Sequence, residues 1–409
     1  MNKEFFIKNR HKLSKEMPNK SIAVFFAGKD ICTSLDESYP FSINRTFYYF
    51  TGINEQNDIL LIVKENDKAR SIIFINPYDE IEAKWMGRKL SRDEALEISG
   101  CDTTRYIKEF EQVALDYAKD GYEIYADTTK CLFEEPYTEE RRFEDKMNKE
   151  NVKVTNIHGL VAKLRTSKEP EEIEEMKKAI HNTNLGLQKV MKSLKGGMYE
   201  YQAESIFDGE IKYNGSFKTA FTTIAASGEN GCVLHYHANN SKMNDGDLVL
   251  FDLGAEYNLY KSDISRTYPV NGKFSPRQRE IYSIVLEAQK KVFNAIKPGI
   301  TIKELNQIVL DHYAKELKRI GLIKNDDEVK KYYFHSVSHH LGLDTHDISG
   351  RDMPLTVGSV ITDEPGLYIP EEQIGIRIED DVLVTENGGV WLSKEIIKEI
   401  DDIEKFMKD

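Results

Sequence analysis

Four carboxylates and a run of histidines carry the pattern most able to do chemistry in this sequence of 409 residues. Asp252 and Asp263 lie in residues 248–270, LVLFDLGAEYNLYKSDISRTYPV, where apolar ends flank a polar middle as in a β-hairpin. With a turn centred between Tyr257 and Asn258, the two aspartates oppose one another and share a sheet face. Glu364 and Glu379 repeat the arrangement about a turn centred between Glu371 and Glu372, with residues 375–384 (GIRIEDDVLV) as the return strand. Like charges held side by side are unfavourable unless a cation lies between them, and a metal ion does this. Four carboxylates suit hard divalent ions such as Mn²⁺, Mg²⁺ or Co²⁺; an added imidazole moves the preference toward Mn²⁺, Co²⁺ or Zn²⁺. The candidate imidazoles are His335, His339, His340 and His346, four of the ten histidines within twelve positions. The plainer alternative is turn capping and surface ion pairing, and Asp380-Asp381 and Glu371-Glu372 read that way. Asp252 does not, because it ends the apolar run Leu248 to Phe251, where an unpaired charge is costly.

The elements that would position these groups form a doubled pattern. A helix is predicted from Pro170 to about Leu194, with Ser167 as a candidate N-cap and Gly196-Gly197 as its stop. A second runs from about Tyr199 to Tyr213, and strands follow to about Val270. Ser275-Pro276 opens a third helix that Pro298-Gly299 ends, and Thr301 to Glu304 is a capping-box pattern opening a fourth that ends at Gly321. Residues 332–393 again read as strand-rich. Gly246 to Gly254 can be laid over Gly358 to Gly366, 112 residues further on, which places Asp252 on Glu364. Ahead of this lies an α/β region. Ser21 to Gly28, Ile59 to Val63 and Ser71 to Ile75 have buried-strand patterns, the last two separated by a turn at Lys64-Glu65-Asn66-Asp67. Helical stretches near Asp93 to Ser99 and Glu109 to Lys119 alternate with them, so a mixed or parallel sheet covered by helices is expected. Residues 134–150 are dense in charge and read as a solvated helix face or linker, with a domain boundary between there and Lys168.

Bulk properties bound the reading. The length suggests two domains. A net charge of −13 argues against nucleic acid as main partner and disfavours an anionic membrane surface. Cys32, Cys101, Cys131 and Cys232 have neither CxxC spacing nor neighbouring histidine tracts, and read as ordinary thiols of a reducing compartment. The first twenty residues are charged throughout without an apolar run, so a cytoplasmic location is expected.

Six strings resemble the pita-bread metallopeptidases, and within them aminopeptidase P and the Xaa-Pro dipeptidases. They are Ser227-Gly228-Glu229-Asn230-Gly231 with Leu234-His235-Tyr236, Asp247 to Gly254, Ser262 to Thr267, Ser338 to Asp347, Asp363 to Tyr368, and Gly375 to Asp380. Two further strings, Arg45 to Gly52 and Trp85-Met86-Gly87-Arg88, resemble the N-terminal domain that aminopeptidase P shares with creatinases. The resemblance implies an α/β creatinase-like domain over residues 1–160 and an α+β pita-bread catalytic domain with an internal pseudo-twofold repeat over 161–409. It implies that Asp252, Asp263, His339, Glu364 and Glu379 hold two divalent ions, Mn²⁺ first and Co²⁺ or Zn²⁺ next. It also implies that His235 and His346 contact substrate, that Arg377 partners the ligands, that His335 lines the pocket, and that Glu364 handles a proton. The implied reaction releases the N-terminal residue from peptides with proline in second position. The nearest rival is a dipeptidase limited to Xaa-Pro, and the remote one a non-catalytic peptide binder. A homodimer or homotetramer is expected by the same analogy. Trp85 and Tyr368 are candidate pocket walls or ordinary core. Two positions depart from the pattern: Thr46, where the family often has aspartate, and Ser336, where it often has glycine.

Overall fold

The computed structural model describes residues 1–66, 68–130, 137–349 and 353–408. Cys131, Asp67 of the predicted turn, and residues 134–136 of the charged stretch lie outside the described residues. The chain divides into two compact units, Met1–Leu164 and Arg165–Asp409.

The first unit contains α1 (Lys3–Glu16), β1 (Ser21–Phe26), α2 (Arg45–Thr51), β2 (Ile59–Glu65), β3 (Lys68–Ile75), α3 (Glu80–Met86), α4 (Arg92–Ser99), β4 (Thr103–Tyr106), α5 (Phe110–Lys119), β5 (Glu123–Ala126), α6 (Glu139–Lys149), β6 (Val154–Asn156) and most of α7 (His158–Thr166). Among the described residues its sheet has the order β4-β3-β2-β1-β5-β6. The central pairs β1/β2 and β2/β3 are antiparallel, and the outer pairs β3/β4, β1/β5 and β5/β6 are parallel, so the sheet is mixed as expected. Every residue of β1 is buried, which is why the strand reads as a continuous apolar run rather than an alternation.

The α1 and α2 helices were not read from the sequence. Asn2 caps α1, and one α1 side chain does long-range work: buried Arg10 donates to the carbonyls of Phe50 (2.6 Å), Ser99 (2.9 Å) and Gly100 (2.7 Å) at the C-terminal ends of α2 and α4. A guanidinium suits those ends, where unpaired carbonyls gather partial negative charge. The charge-dense stretch is not a fully solvated face. In α6, Glu140, Phe143 and Met147 fall on one side and are buried.

The second unit carries the predicted doubling. Helices α8 (Pro170–Ser193) and α9 (Glu200–Tyr213) precede β7 (Lys218–Thr219), β8 (Ile224–Ser227), β9 (Leu248–Leu253), β10 (Ala255–Tyr257), β11 (Tyr260–Lys261) and β12 (Ile264–Pro269). Helices α10 (Pro276–Ala295) and α11 (Ile302–Arg319) precede β13 (Val360–Asp363), β14 (Gly366–Ile369), β15 (Ile374–Arg377), β16 (Asp380–Thr385) and β17 (Gly388–Trp391); α12 (Ile400–Lys408) follows. Strands β12-β9-β8 and β13-β16-β17 form two three-stranded sheets, and β14 pairs with β15. The repeat extends to backbone conformation, since Gly246 and Gly358 both have φ of +88°, in the left-handed region that glycine tolerates.

Ser167 is not the cap of α8; its hydroxyl donates to the Val357 carbonyl (2.7 Å), and Glu169 is the N-cap, its N–H bonded to the Glu172 carboxylate (2.8 Å). The described residues of 332–359 are mostly irregular rather than strand-rich, and regular strands resume at Val360. None of the described helices is long and apolar enough to cross a membrane. Gly254 closes the turn into β10 against backbone: a Cβ there would sit 1.9 Å from the Ser262 carbonyl oxygen. Gly254→Ala is therefore expected to cost about 1–3 kcal/mol by overpacking, read as a lower urea midpoint; an unchanged midpoint would show that this hairpin has slack.

Candidate metal centre

The register of the two hairpins decides which side chains meet. In the first, Asp252 pairs with Ser265, and Glu256 with Lys261, about a tip at Asn258-Leu259 where both residues have positive φ. The turn thus lies one residue later than predicted, and Asp252 does not oppose Asp263 directly. The error is a shift of two in pairing, which preserves side-chain parity, so both aspartates still face the same way. In the second, Gly366 pairs with Arg377 and Asp363 with Asp380, the predicted register. Glu364 and Glu379 occupy the matching gap between these two ladders.

The four carboxylates and one imidazole converge. Donor atoms of Asp263, His339 and Glu379 lie within 4.8 Å of one another. His339 Nε2 is 3.4 Å from Asp263 and 3.5 Å from Glu364. The His339 Nδ1–H donates to the His340 carbonyl (3.0 Å), which leaves the Nε2 lone pair facing the carboxylates, the tautomer a metal ligand needs. The His339 backbone is stitched to β13, through Thr362 Oγ1 (3.1 Å) and the Thr362 N–H (3.0 Å).

Electrostatics show that the cluster lacks positive charge. Burial, then Asp252 and Asp381, push the Asp263 carboxyl well above its ordinary range. Burial, then Asp263 and Glu364, do the same to Glu379. Burial raises Glu364 as well, opposed by His339 and Arg377. A divalent ion would reverse each shift, and an oxygen-rich set with one imidazole is the donor chemistry of such ions.

Arg377 is the one permanent cation bonded into the cluster among the described residues. Its Nη2 bonds Asp252, its Nη1 donates to the Tyr368 hydroxyl (2.9 Å), and its Nε donates to Ser265 Oγ (2.7 Å). Ser265 Oγ in turn donates to Glu379 (2.6 Å). One side chain therefore orients a carboxylate from each hairpin. Ser265 was not singled out in the sequence, although its position two residues after Asp263 places it on the same face. Tyr368 is no pocket wall. It is fully buried, and its hydroxyl links Arg377 to His335 Nε2 (2.8 Å). His335 donates from Nδ1 to the Ser336 carbonyl (2.7 Å), so protein atoms occupy both ring nitrogens; burial and Arg377 push its pKa down to about 3. Trp85 is 84% exposed on α3, so it is not core.

The other histidines divide. His346 is exposed, with its ring 4.3 Å from that of His339, edge to face. His235 is exposed on the loop after β8. His340 is buried, and burial lowers its pKa to about 4; its backbone bridges to Ile361. Asp380 and Asp381, read as surface residues, are buried. Burial alone would raise Asp380, but Arg266 (2.7 Å) and Lys398 (2.7 Å) hold it below its usual value. Asp381 Oδ2 accepts from the Asp263 N–H (3.3 Å) and so sits directly behind the cluster. Glu371 is exposed and Glu372 pairs with Arg277 (2.7 Å), as read. Thr46 is buried in the first turn of α2, and exposed Ser336 bonds the Ser338 carbonyl (3.0 Å).

Comparison with known proteins agrees with this layout. Residues 6–125 match the aminopeptidase P N-terminal domain, and residues 174–386 match metallopeptidase family M24. A Xaa-Pro aminopeptidase of Escherichia coli (strain K12) is 36% identical over 436 aligned positions, covering 100% of this chain and 98% of the relative. Xaa-Pro aminopeptidase 3 of Homo sapiens is 32% identical, covering 97% of this chain and 84% of the relative. A Bacillus anthracis structure with a provisional aminopeptidase P assignment superposes with a TM-score of 0.97 at 43% identity, over 100% of this chain and 99% of that one. Aminopeptidase P from E. coli with the inhibitor Pro-Leu superposes with a TM-score of 0.91 at 34% identity, over 100% and 98%. With its catalytic unit matched over residues 174–386 and full-length relatives above 30% identity, the chain belongs to metallopeptidase family M24, in the branch that carries an aminopeptidase P N-terminal domain.

Proposed function

We propose that this metallo-aminopeptidase hydrolyses the bond between an N-terminal residue and a proline in second position, with Asp252, Asp263, His339, Glu364 and Glu379 holding two divalent ions, Mn²⁺ before Co²⁺ or Zn²⁺. The observation that carries the reading is the convergence of buried Asp263 and Glu379 with half-buried His339 within 4.8 Å, with Glu364 beside His339 and Asp252 held by Arg377. The full-length relatives named Xaa-Pro aminopeptidase supply the substrate class. A homodimer or homotetramer belongs to the same reading, by analogy.

Bound there, the ions would supply Lewis acidity and a water of lowered pKa. The chain's own groups do the rest. Arg377 fixes Asp252 directly and Glu379 through Ser265, so the ligands are oriented before anything binds. Glu364 Oε1 accepts from Thr362 Oγ1 (3.1 Å), which leaves Oε2 turned from that bond and able to carry a proton toward the leaving nitrogen. That step is essential here, since a departing proline nitrogen must gain a proton. In this reading His346 and His235, both exposed, donate hydrogen bonds to the substrate carbonyl as charge develops on it.

Asp263→Ala or Glu379→Ala is expected to cut turnover more than about 100-fold, because metal contributes several kcal/mol, and to lower bound metal in elemental analysis. Retention of full activity and parental metal content by either variant would refute the ligand set. Undiminished hydrolysis in excess chelator would refute the metal requirement.

Substrate length separates the proposal from its nearest rival. Xaa-Pro-Xaa peptides should be cleaved with higher kcat/KM than Xaa-Pro dipeptides; a preference for the dipeptide makes this a dipeptidase.

The raised carboxyls fix a sign for pH dependence. Asp263, Glu364 and Glu379 have ordinary values of 3.8 to 4.5 and titrate higher in the folded, metal-free chain, which therefore binds more protons than the unfolded chain. Their contribution to stability is complete below the ordinary values and is lost as pH rises through the raised ones. Denaturation in chelator at pH 5 and pH 8 should show this loss in the parent and a smaller loss in Glu379→Gln. Equal losses would mean that the carboxyls titrate normally.

A further inference from the structure

The string Ser227-Gly228-Glu229-Asn230-Gly231 with Tyr236 supplies no ligand in the proposed centre, yet Ser227, Asn230 and Tyr236 all bond one carboxylate. Glu200, the first residue of α9, has 0% exposure. Its Oε1 accepts from the Ser227 N–H (2.7 Å), Ser227 Oγ (2.7 Å) and Asn230 Nδ2 (3.0 Å). Its Oε2 accepts from the Tyr236 hydroxyl (2.9 Å) and the Ser241 N–H (2.9 Å). The five donors therefore saturate a buried carboxylate whose acceptor capacity is about four lone pairs, and all five are neutral. The α9 N-terminus adds favourable dipole charge.

These donors are spread over the whole segment from Ser227 to Ser241. One carboxylate thus ties both ends of a loop and its middle, and the middle contact, Tyr236, adjoins His235. The loop's other side is fixed sterically. A Cβ on Gly375 of β15 would lie 2.0 Å from the Gly231 carbonyl oxygen, so the two backbones touch. Cys232 Sγ also donates to the Ile374 carbonyl (3.4 Å) on the same strand. β15 ends in Arg377, so the loop is wedged between Glu200 and the strand that orients the centre. The His235 ring has no hydrogen bond among the described residues; it lies near-parallel to the ring of His237 on the same loop, 6.1 Å away, so its direction follows the loop that carries both.

We propose that Glu200 is a positioning residue for His235, holding the Ser227–Ser241 loop so that the imidazole meets the substrate. This rests on the reading of His235 as a substrate-facing group. Removing the fifteen-residue loop's common acceptor frees it to shift, and misplacement by about 1 Å costs on the order of 100-fold in rate.

The test is a double-mutant cycle on the metal-loaded full chain, with metal content measured for each variant. Glu200→Gln replaces one acceptor by an amide NH₂ that faces donors. Its kcat/KM should fall about 10- to 100-fold at parental metal content, and Glu200→Gln with His235→Ala should be no worse than His235→Ala alone. Hydrogen exchange of the metal-free chain should show faster exchange at the Ser227 and Ser241 amides, with β9 and β12 unchanged. If Glu200→Gln fails to fold, Tyr236→Phe removes one bond of the five, and its several-fold loss should likewise vanish in the His235→Ala background. Additive losses, or parental kcat/KM in Glu200→Gln or in a folded Tyr236→Phe, overturn the positioning role while leaving that of His235 standing. Parental kcat/KM in His235→Ala overturns both.

Discussion

Charge repulsion between buried carboxylates is the constraint on which the catalytic unit depends. Asp252, Asp263, Glu364 and Glu379 come from two hairpins more than a hundred residues apart and are brought close in a setting that excludes most water. Folding alone does not favour that meeting, since burial and mutual repulsion both resist ionisation. Arg377 offsets part of it, and protons or metal must supply the remainder. The surrounding structure is consistent with this demand. Asp252 lies within a continuous ladder, whereas Asp263, Glu364 and Glu379 sit at gaps between ladders, and Asp381 and the Arg266–Asp380–Lys398 group form a second buried polar layer behind them. In that layer Arg266 also donates to the Ser265 carbonyl (3.0 Å) and the Ile396 carbonyl (3.0 Å), tying the first hairpin to the C-terminal segment.

Much of this was legible because β-structure has a period of two. The second hairpin's register follows from Glu364 and Glu379 flanking a turn-forming segment, and the structure has that register. The first was misjudged by one residue at its tip, since Asn258-Leu259 is a two-residue turn with leucine in a left-handed conformation, which sequence preference does not favour. The face assignment survived because the resulting pairing error was even. The 112-residue repeat was readable for a related reason: glycine at 246 and 358 answers the same backbone demand.

What escaped the sequence was long-range pairing. Asp380 and Asp381 look like a surface doublet until Arg266 and Lys398, distant in the chain, are seen beside Asp380. Ser167 looks like a helix cap until the Val357 carbonyl is seen to accept its hydroxyl's hydrogen bond. The helix α1 buries Phe5, Phe6 and Leu13 and is tied down by Arg10, whose partners lie 40, 89 and 90 residues away. The Ser227 to Gly231 string was recognised as a pattern, but its meaning required the coordinates of Glu200.

The interleaving of the two halves has a consequence for biosynthesis. The Glu364 N–H bonds the Val337 carbonyl (3.0 Å), and the Glu379 N–H bonds the Ser265 carbonyl (3.0 Å), so each glutamate is anchored by chain made earlier. A nascent chain that has extended only through Asp263 exposes two aspartates with neither their guanidinium nor their imidazole yet synthesised. About a hundred further residues must emerge before the partners arrive. A chain truncated before Arg377 and Glu379 therefore lacks both the guanidinium and one carboxylate of the cluster.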